Sequence, residues 1–235
     1  MVTTNDSAQP IMRCWPGLKA HCLGQRGCKF PGRAESNAQG IPLGHVMSMN
    51  GSMAKWACSV AEAELRESLP RRWMHSQGVA RRAAELTELL GGDADLLASA
   101  AVLHDVGYAP RLAATGFHPL DGARFLRDDH AADERLVRLV ANHSLALLEA
   151  EERGLRGDLE AEFPLLDDHR LVDALVYCDM TTTPDGNGTS AEGRLEEIMD
   201  RYGADSLVGR FIRRASSDIL AAVGRVEAAL AAQPR

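Results

Sequence analysis

Four metal-binding side chains stand where helical periodicity calls for an apolar residue. His75 lies four residues before Val79, on a stripe that continues through Ala83, Leu86 and Leu90. His104 follows Leu97 and Ala100 at plus seven and plus four, with Asp105 beside it. Asp179 extends Val172, Leu175 and Val176, and His143 continues Leu136, Leu139 and Val140. Residues three, four and seven apart share one helix face, so each of these groups is directed toward the core. An unpaired carboxylate there costs several kcal/mol and needs a cation or dense hydrogen bonding. A single histidine on an apolar face is ordinarily a satisfied core residue, and one His-Asp dipeptide arises by chance. Recurrence on separate helices is what points to a shared cation. Imidazole with carboxylate suits Zn, Mn, Fe, Co or Ni better than Ca, and the lack of cysteine in the set argues against a structural zinc. His130, in Asp128-Asp129-His130, and His169, after Asp167-Asp168, lie in polar runs and read as surface histidines.

These residues need helices to position them, and from about residue 54 the hydrophobic period is 3.6. The pattern predicts an all-α chain with helices near 55–68, 71–90, 93–106, 119–128, 132–152, 168–182, 191–202 and 204–231. Asp93 is expected to N-cap the third of these after Gly91-Gly92, and Gly107 to close it at C′. Pro119 falls at a first helical residue. The helix 93–106 is apolar almost all round, as a central buried helix is. No run alternates with period two for long enough to predict a sheet.

The 235 residues are 45% hydrophobic but only 5% aromatic, so Leu, Ala and Val must fill the core, and these favour helix. The net charge is −7 with no basic run, which excludes a long polyanion as partner. No apolar stretch approaches the roughly 20 residues of a membrane span, and the N-terminus lacks the order of a secretory signal. Five cysteines, three of them in the first 28 residues, do not make a disulfide framework; a reducing cytoplasm is the expected setting. Residues 1–46 are rich in Gly, Pro, Gln and Ser and carry five Lys/Arg against two Asp/Glu, leaving 21 against 31 for the rest, a net −10. We read residues 1–50 as a disordered tail or a misassigned start, with translation beginning at Met47, Met49 or Met53, and residues 54–232 as the folded domain. Cys14, His21, Cys22 and Cys28 lack the close Cys-x₂₋₄-Cys pair of a zinc site.

The ordered set His75, His104-Asp105 and Asp179 resembles the motif of the HD superfamily of metal-dependent phosphohydrolases. Ala-Ala-Val-Leu-His-Asp-Val-Gly-Tyr surrounds the pair and Leu-Val-Tyr-Cys-Asp-Met the last acid, and the resemblance spans about residues 70–182. It implies a compact helical bundle whose core holds a divalent metal (Mn, Fe, Co, Ni, Zn or Mg) on His75, His104, Asp105 and Asp179. His118 and His143 lie in the interval where two-metal branches carry extra histidines. The resemblance therefore implies one or two ions per chain: with two, Asp105 bridges them and His118 and His143 serve the second, and with one, these histidines orient phosphate. All three are candidate catalytic residues. The chain departs from the cyclic-dinucleotide branch: Ala109 follows Gly107-Tyr108 where that branch has Pro, and Asn142-His143 replaces its His-His pair.

The implied reaction is hydrolysis of a nucleotide or other small phosphate ester by metal-activated water. Lys55 is the single lysine after residue 46, so phosphate clamping falls to arginine, with Arg111 and Arg124 as candidates. The segment 181–190 reads as a mobile loop over the site, carrying Asp185. Alternatives are a non-catalytic nucleotide-binding or regulatory module and a di-iron oxygenase of the same superfamily. No nucleic-acid or membrane partner is expected, and a homodimer is compatible with the sequence.

Overall fold

The computed structural model describes residues 52–233, whose regular elements are helices joined by short turns and loops; the tail and its Cys14, His21, Cys22 and Cys28 lie outside them. The α-helices are α1 (Ser52–Leu65), α2 (Pro70–Ala84), α3 (Thr87–Leu90), α4 (Ala94–Leu103), α5 (His118–Asp128) and α6 (Glu134–Ala141). They continue with α7 (Ala146–Glu152), α8 (Arg156–Glu162), α9 (His169–Met180), α10 (Ala191–Tyr202) and α11 (Leu207–Ala231). Short 3₁₀ turns occupy Gly91–Asp93, Val106–Tyr108 and His143–Leu145. Among the described residues there is no strand beyond one isolated Thr182–Gly188 bridge, and no helix is long and apolar enough to cross a membrane.

The axis of the bundle is α4. Its Leu96, Leu97, Ala100, Ala101, Val102 and Leu103 are all buried, and it packs against α1, α2, α6 and α9. Because α4 is surrounded, whatever its C-terminal end carries is placed in the interior. The outer helices start where the sequence supplies caps. Pro70 opens α2, and the carboxylate of Asp133 accepts the amides of Arg135 and Leu136. Asp168, Ser190 and Ser206 cap α9, α10 and α11.

Several expected boundaries move. The helix expected over 71–90 stops at Ala84, whose carbonyl accepts the Thr87 hydroxyl at 2.8 Å. The one expected over 132–152 is broken at Ser144 and Leu145, both left-handed at φ 48° and 62°. Helix α8 was not expected at all. Asp93 makes no side-chain cap; its carboxylate takes Arg135 Nη1 at 2.9 Å. Pro119 does lie in the first turn of α5.

Gly107 is likewise not the C′ residue of α4, which ends at Leu103. A Cβ on it would stand 2.1 Å from the carbonyl oxygen of His118 and 2.5 Å from the amide nitrogen of Gly122. The turn after Asp105 therefore lies backbone to backbone on the start of α5, which is how residues 105 and 118 come together. Gly107→Ala must push these segments apart and should lower unfolding free energy by about 1–3 kcal/mol. Gly92→Ala, with no atom within 4 Å of its Cβ, is the control. Equal urea midpoints for the two variants would refute the close approach.

Candidate metal centre

Helices α2, α4 and α9 bring His75, His104, Asp105 and Asp179 to one point, and all four are buried. His75 Nε2 lies 3.1 Å from Asp179 Oδ1 and 3.8 Å from Asp105 Oδ2. His104 Nε2 lies 3.3 Å from Asp105 Oδ2 and 3.8 Å from Asp179 Oδ1. A second set adjoins the first through the other oxygen of the same carboxylate. Asp105 Oδ1 is 3.3 Å from His118 Nε2, which faces His143 Nε2 at 3.1 Å. Two groups thus have metal-ligand spacing, His75–His104–Asp105 and Asp105–His118–His143.

The chemistry of these donors fits a cation. His75 Nδ1 lies 3.0 Å from the carbonyl of Thr183, His104 Nδ1 2.8 Å from that of Ala101, and His143 Nδ1 2.6 Å from that of Val140. A carbonyl only accepts, so Nδ1 carries a proton in each ring and Nε2 is the atom directed at the centre. The buried Nε2 of His104 has no hydrogen-bond partner, an orphan that a cation would satisfy. Charge leads to the same conclusion. Against the cost of burial, Asp105 is held well below the usual carboxylate range by Arg72 and His104. Asp179 is likewise held low by His75 and His104. His104 is itself pushed up to about 9 despite burial, chiefly by the charge of Asp105. Burial holds His118 down at about 3 and also lowers His143, so both offer neutral nitrogen. With two carboxylates among these imidazoles and no sulfur in either group, the set suits a transition-series divalent ion. Cys178 adjoins Asp179 but is buried, and burial pushes its thiol pKa up, away from thiolate.

The helix break at 143–145 belongs to this centre. The left-handed turn ends α6 early, sets His143 beside His118, and lets Ser144 Oγ donate to Asp179 Oδ2. Two consecutive non-glycine residues at positive φ are strained backbone, held here by the contacts they make. Asn142, where the cyclic-dinucleotide branch has histidine, donates through Nδ2 to the carbonyls of Arg138 and Phe163.

A cavity of about 230 Å³ opens over the cluster. It contains none of the three substrate residues expected from sequence. Arg111 pairs with Glu64 and Arg124 with Glu162, both outside the cavity lining. Asp185 pairs with Arg71 at 2.7 Å on the surface. The segment 181–190 is a tight turn packed on α2, with Thr183 N donating to Asn187 O at 2.8 Å and Arg81 Nη2 to Gly186 O at 2.9 Å. It buttresses His75 from behind rather than covering the site. The two control histidines, His130 and His169, are exposed.

The arginines that do reach the cavity are Arg72, Arg153, Arg194 and Arg201. Arg72 Nη1 donates to Asp105 Oδ2 at 2.6 Å, and its guanidinium lies 4.0 Å over the Tyr108 ring. That ring stacks on His118 at 3.9 Å. Arg194 is buried, and its Nε has no partner. A sequence signal existed for Arg194, which falls between Ala191 and Ile198 on the apolar face of α10. Arg72 had none, because Arg71 and Arg72 both lie within one turn of His75.

The chain belongs to the HD domain family, whose model matches residues 72–205. That span holds every residue of both histidine–aspartate groups. No curated protein and no solved structure matches the chain.

Elemental analysis of protein purified without chelators should give close to two divalent ions per chain, and close to one for His118→Ala or His143→Ala. Asp105→Asn, which removes charge from both groups, should lose most metal while its helical circular dichroism persists. His130→Ala should match wild type. A saturated wild type with one ion would leave His118 and His143 to substrate or structure. Uptake must also displace the proton His104 holds up to about 9. Affinity should therefore rise with pH up to about 9, with proton release in weak buffer below it. Uptake without proton release would remove His104 from the ligand set.

Proposed function

We propose that the chain hydrolyses a small phosphate ester at this centre, as a metal-dependent phosphohydrolase. One observation carries the reading: the buried Asp105 turns one oxygen to His75 and His104 and the other to His118. Such a carboxylate joins two groups of ligands into one centre, the arrangement that suits paired-ion attack on phosphorus. Family membership supports a metal-dependent hydrolase in the coarser sense.

A divalent ion held here supplies Lewis acidity toward a phosphoryl oxygen and makes water a nucleophile near neutral pH. The chain supplies the rest. His75, His104, Asp105 and Asp179 hold the charge in place, and Ser144 fixes the orientation of Asp179. His118, neutral through burial, stays available as ligand or as a contact to phosphate. Arg194, whose Nη1 pairs with Glu197 while its Nε is unpaired at the cavity wall, has that Nε–H left to meet an anion, whose charge builds up in the transition state. Arg72 positions Asp105.

Protein loaded in turn with Mn, Co, Ni and Mg should release inorganic phosphate from members of a panel of nucleotides and simple phosphate esters. Asp105→Asn should lower kcat by several orders of magnitude, with His130→Ala unchanged. Arg194→Gln should raise KM about tenfold or more, the scale of a charged hydrogen bond, at unaltered metal content. No release from any ester by fully loaded protein would defeat the proposal; iron loading with oxygen uptake would favour the oxygenase reading.

A further inference from the structure

The cavity over the metal centre has two unlike ends. One is ionic, made by the histidine–aspartate groups with Arg72 and Arg194. The other is a wall of Ile198 from α10 with Val208, Phe211, Ile212 and Ile219 from α11. Apart from the half-buried Val208, these side chains are almost wholly buried. Four of the five lie beyond residue 205, where the match to the HD domain family ends. The family's segment therefore builds the ionic end and contributes Ile198 to the apolar one, whose other four residues come from α11 beyond it.

Groups able to read a nucleobase are scarce at that second end. Among the described residues no Asn, Gln or Thr lines the cavity. Ser144 is engaged by Asp179, Arg153 and Glu149 by each other, and Arg201 by Glu197. The Tyr108 ring already packs against His118 and lies under Arg72. That leaves Tyr202 as the one further polar side chain on the lining beyond the ionic end. Polar edges of a base or sugar pressed on aliphatic side chains would lose their water without replacement partners, at a cost for each group. Size bears on the same point. At about 230 Å³ the cavity falls below the roughly 300–1,000 Å³ of pockets that take drug-sized ligands.

Resting on the phosphohydrolase reading above, we propose that the substrate is a phosphate monoester with a small apolar body, an alkyl or aryl group. Its phosphate lies toward the metal centre and Arg194, and its hydrocarbon lies on the wall of Ile198, Val208, Phe211, Ile212 and Ile219. The wall sets specificity; the ionic end does the chemistry. In the reaction water adds to phosphorus, the P–O bond to the organic group breaks, and the departing oxygen takes a proton, giving an alcohol or phenol and inorganic phosphate.

The test is a homologous series on the full, metal-loaded chain: methyl, propyl and hexyl phosphate, with phenyl phosphate, glycerol 3-phosphate and AMP. Each methylene that reaches the wall should raise kcat/KM about fourfold, so hexyl phosphate should exceed methyl phosphate by 50-fold or more and AMP by at least tenfold. Binding read by calorimetry with methyl-, hexyl- and phenylphosphonate should follow the same order, which keeps the test open without turnover. Val208→Ser, at the half-buried edge of the wall and so the least disruptive site, should flatten both series at unchanged metal content and unchanged circular dichroism. Ile212→Ser should do the same more strongly wherever its circular dichroism matches wild type. A flat series, or AMP as good a substrate as hexyl phosphate, overturns the apolar-body inference and leaves the phosphohydrolase standing. No hydrolysis of any ester overturns the latter. Phosphonates binding with no preference for the hydrocarbon chain would then overturn the former as well.

Discussion

Two carboxylates, Asp105 and Asp179, are buried close together in the interior of a helical bundle, and most of the structure around them follows from the need to offset that charge. Burial alone would protonate them, because a low-dielectric interior disfavours the ionised form. Histidines 75, 104 and 118 and the guanidinium of Arg72 keep them ionised. His104 shows how far the balance is pushed: desolvation should strip its proton, yet the neighbouring acids raise it to about 9. An interior that pulls a proton onto a buried imidazole is one that would accept a divalent cation in its place.

Local backbone bends to the same requirement. A continuous helix through 132–152 would be the cheaper structure for that stretch of sequence. Instead the chain takes up two left-handed residues, which orient His143 by its own carbonyl contact and bring Ser144 to Asp179. At the other side, Gly107 and Gly122 let the turn after Asp105 lie against α5 without an intervening side chain. Behind His75, the turn at 181–190 presents the Thr183 carbonyl to Nδ1. Each departure from regular helix sits beside a member of the cluster and fixes the direction of its side chain, as orientation of ligands by their outer partners requires.

How much of this the sequence disclosed depended on the kind of residue. His75, His104, Asp179 and His143 were visible because a polar group on an apolar stripe violates the pattern. The surface placement of His130 and His169 followed from the same rule read in reverse. Arg194 violates the stripe of α10 in the same way, between Ala191 and Ile198. Arg111 and Arg124, the arginines expected to clamp phosphate, are near the His104-Asp105 motif in sequence alone. The structure turns them outward to Glu64 and Glu162, since arginine's reach lets the nearest carboxylate decide. The helix ends at 84 and 141 were hidden because Leu86 keeps the first period, and Ala146 and Leu147 resume the second across the break.

The apolar wall was illegible for a deeper reason. Val208, Phe211, Ile212 and Ile219 recur at helical spacing, and so do Ala215, Ala222 and Val223, which simply bury against the bundle. Hydrophobic periodicity states that a face is covered but not what covers it, because a leucine from α9 and a methylene of a ligand exclude water equally well. Polar ligands betray themselves in sequence through the cost of burying them. An apolar subsite carries no such cost and becomes visible only when the cavity beside it can be seen. Sequence patterns therefore disclose ionic chemistry more readily than apolar specificity, and the specificity proposed above rests mostly on a helix beyond the family's matched segment.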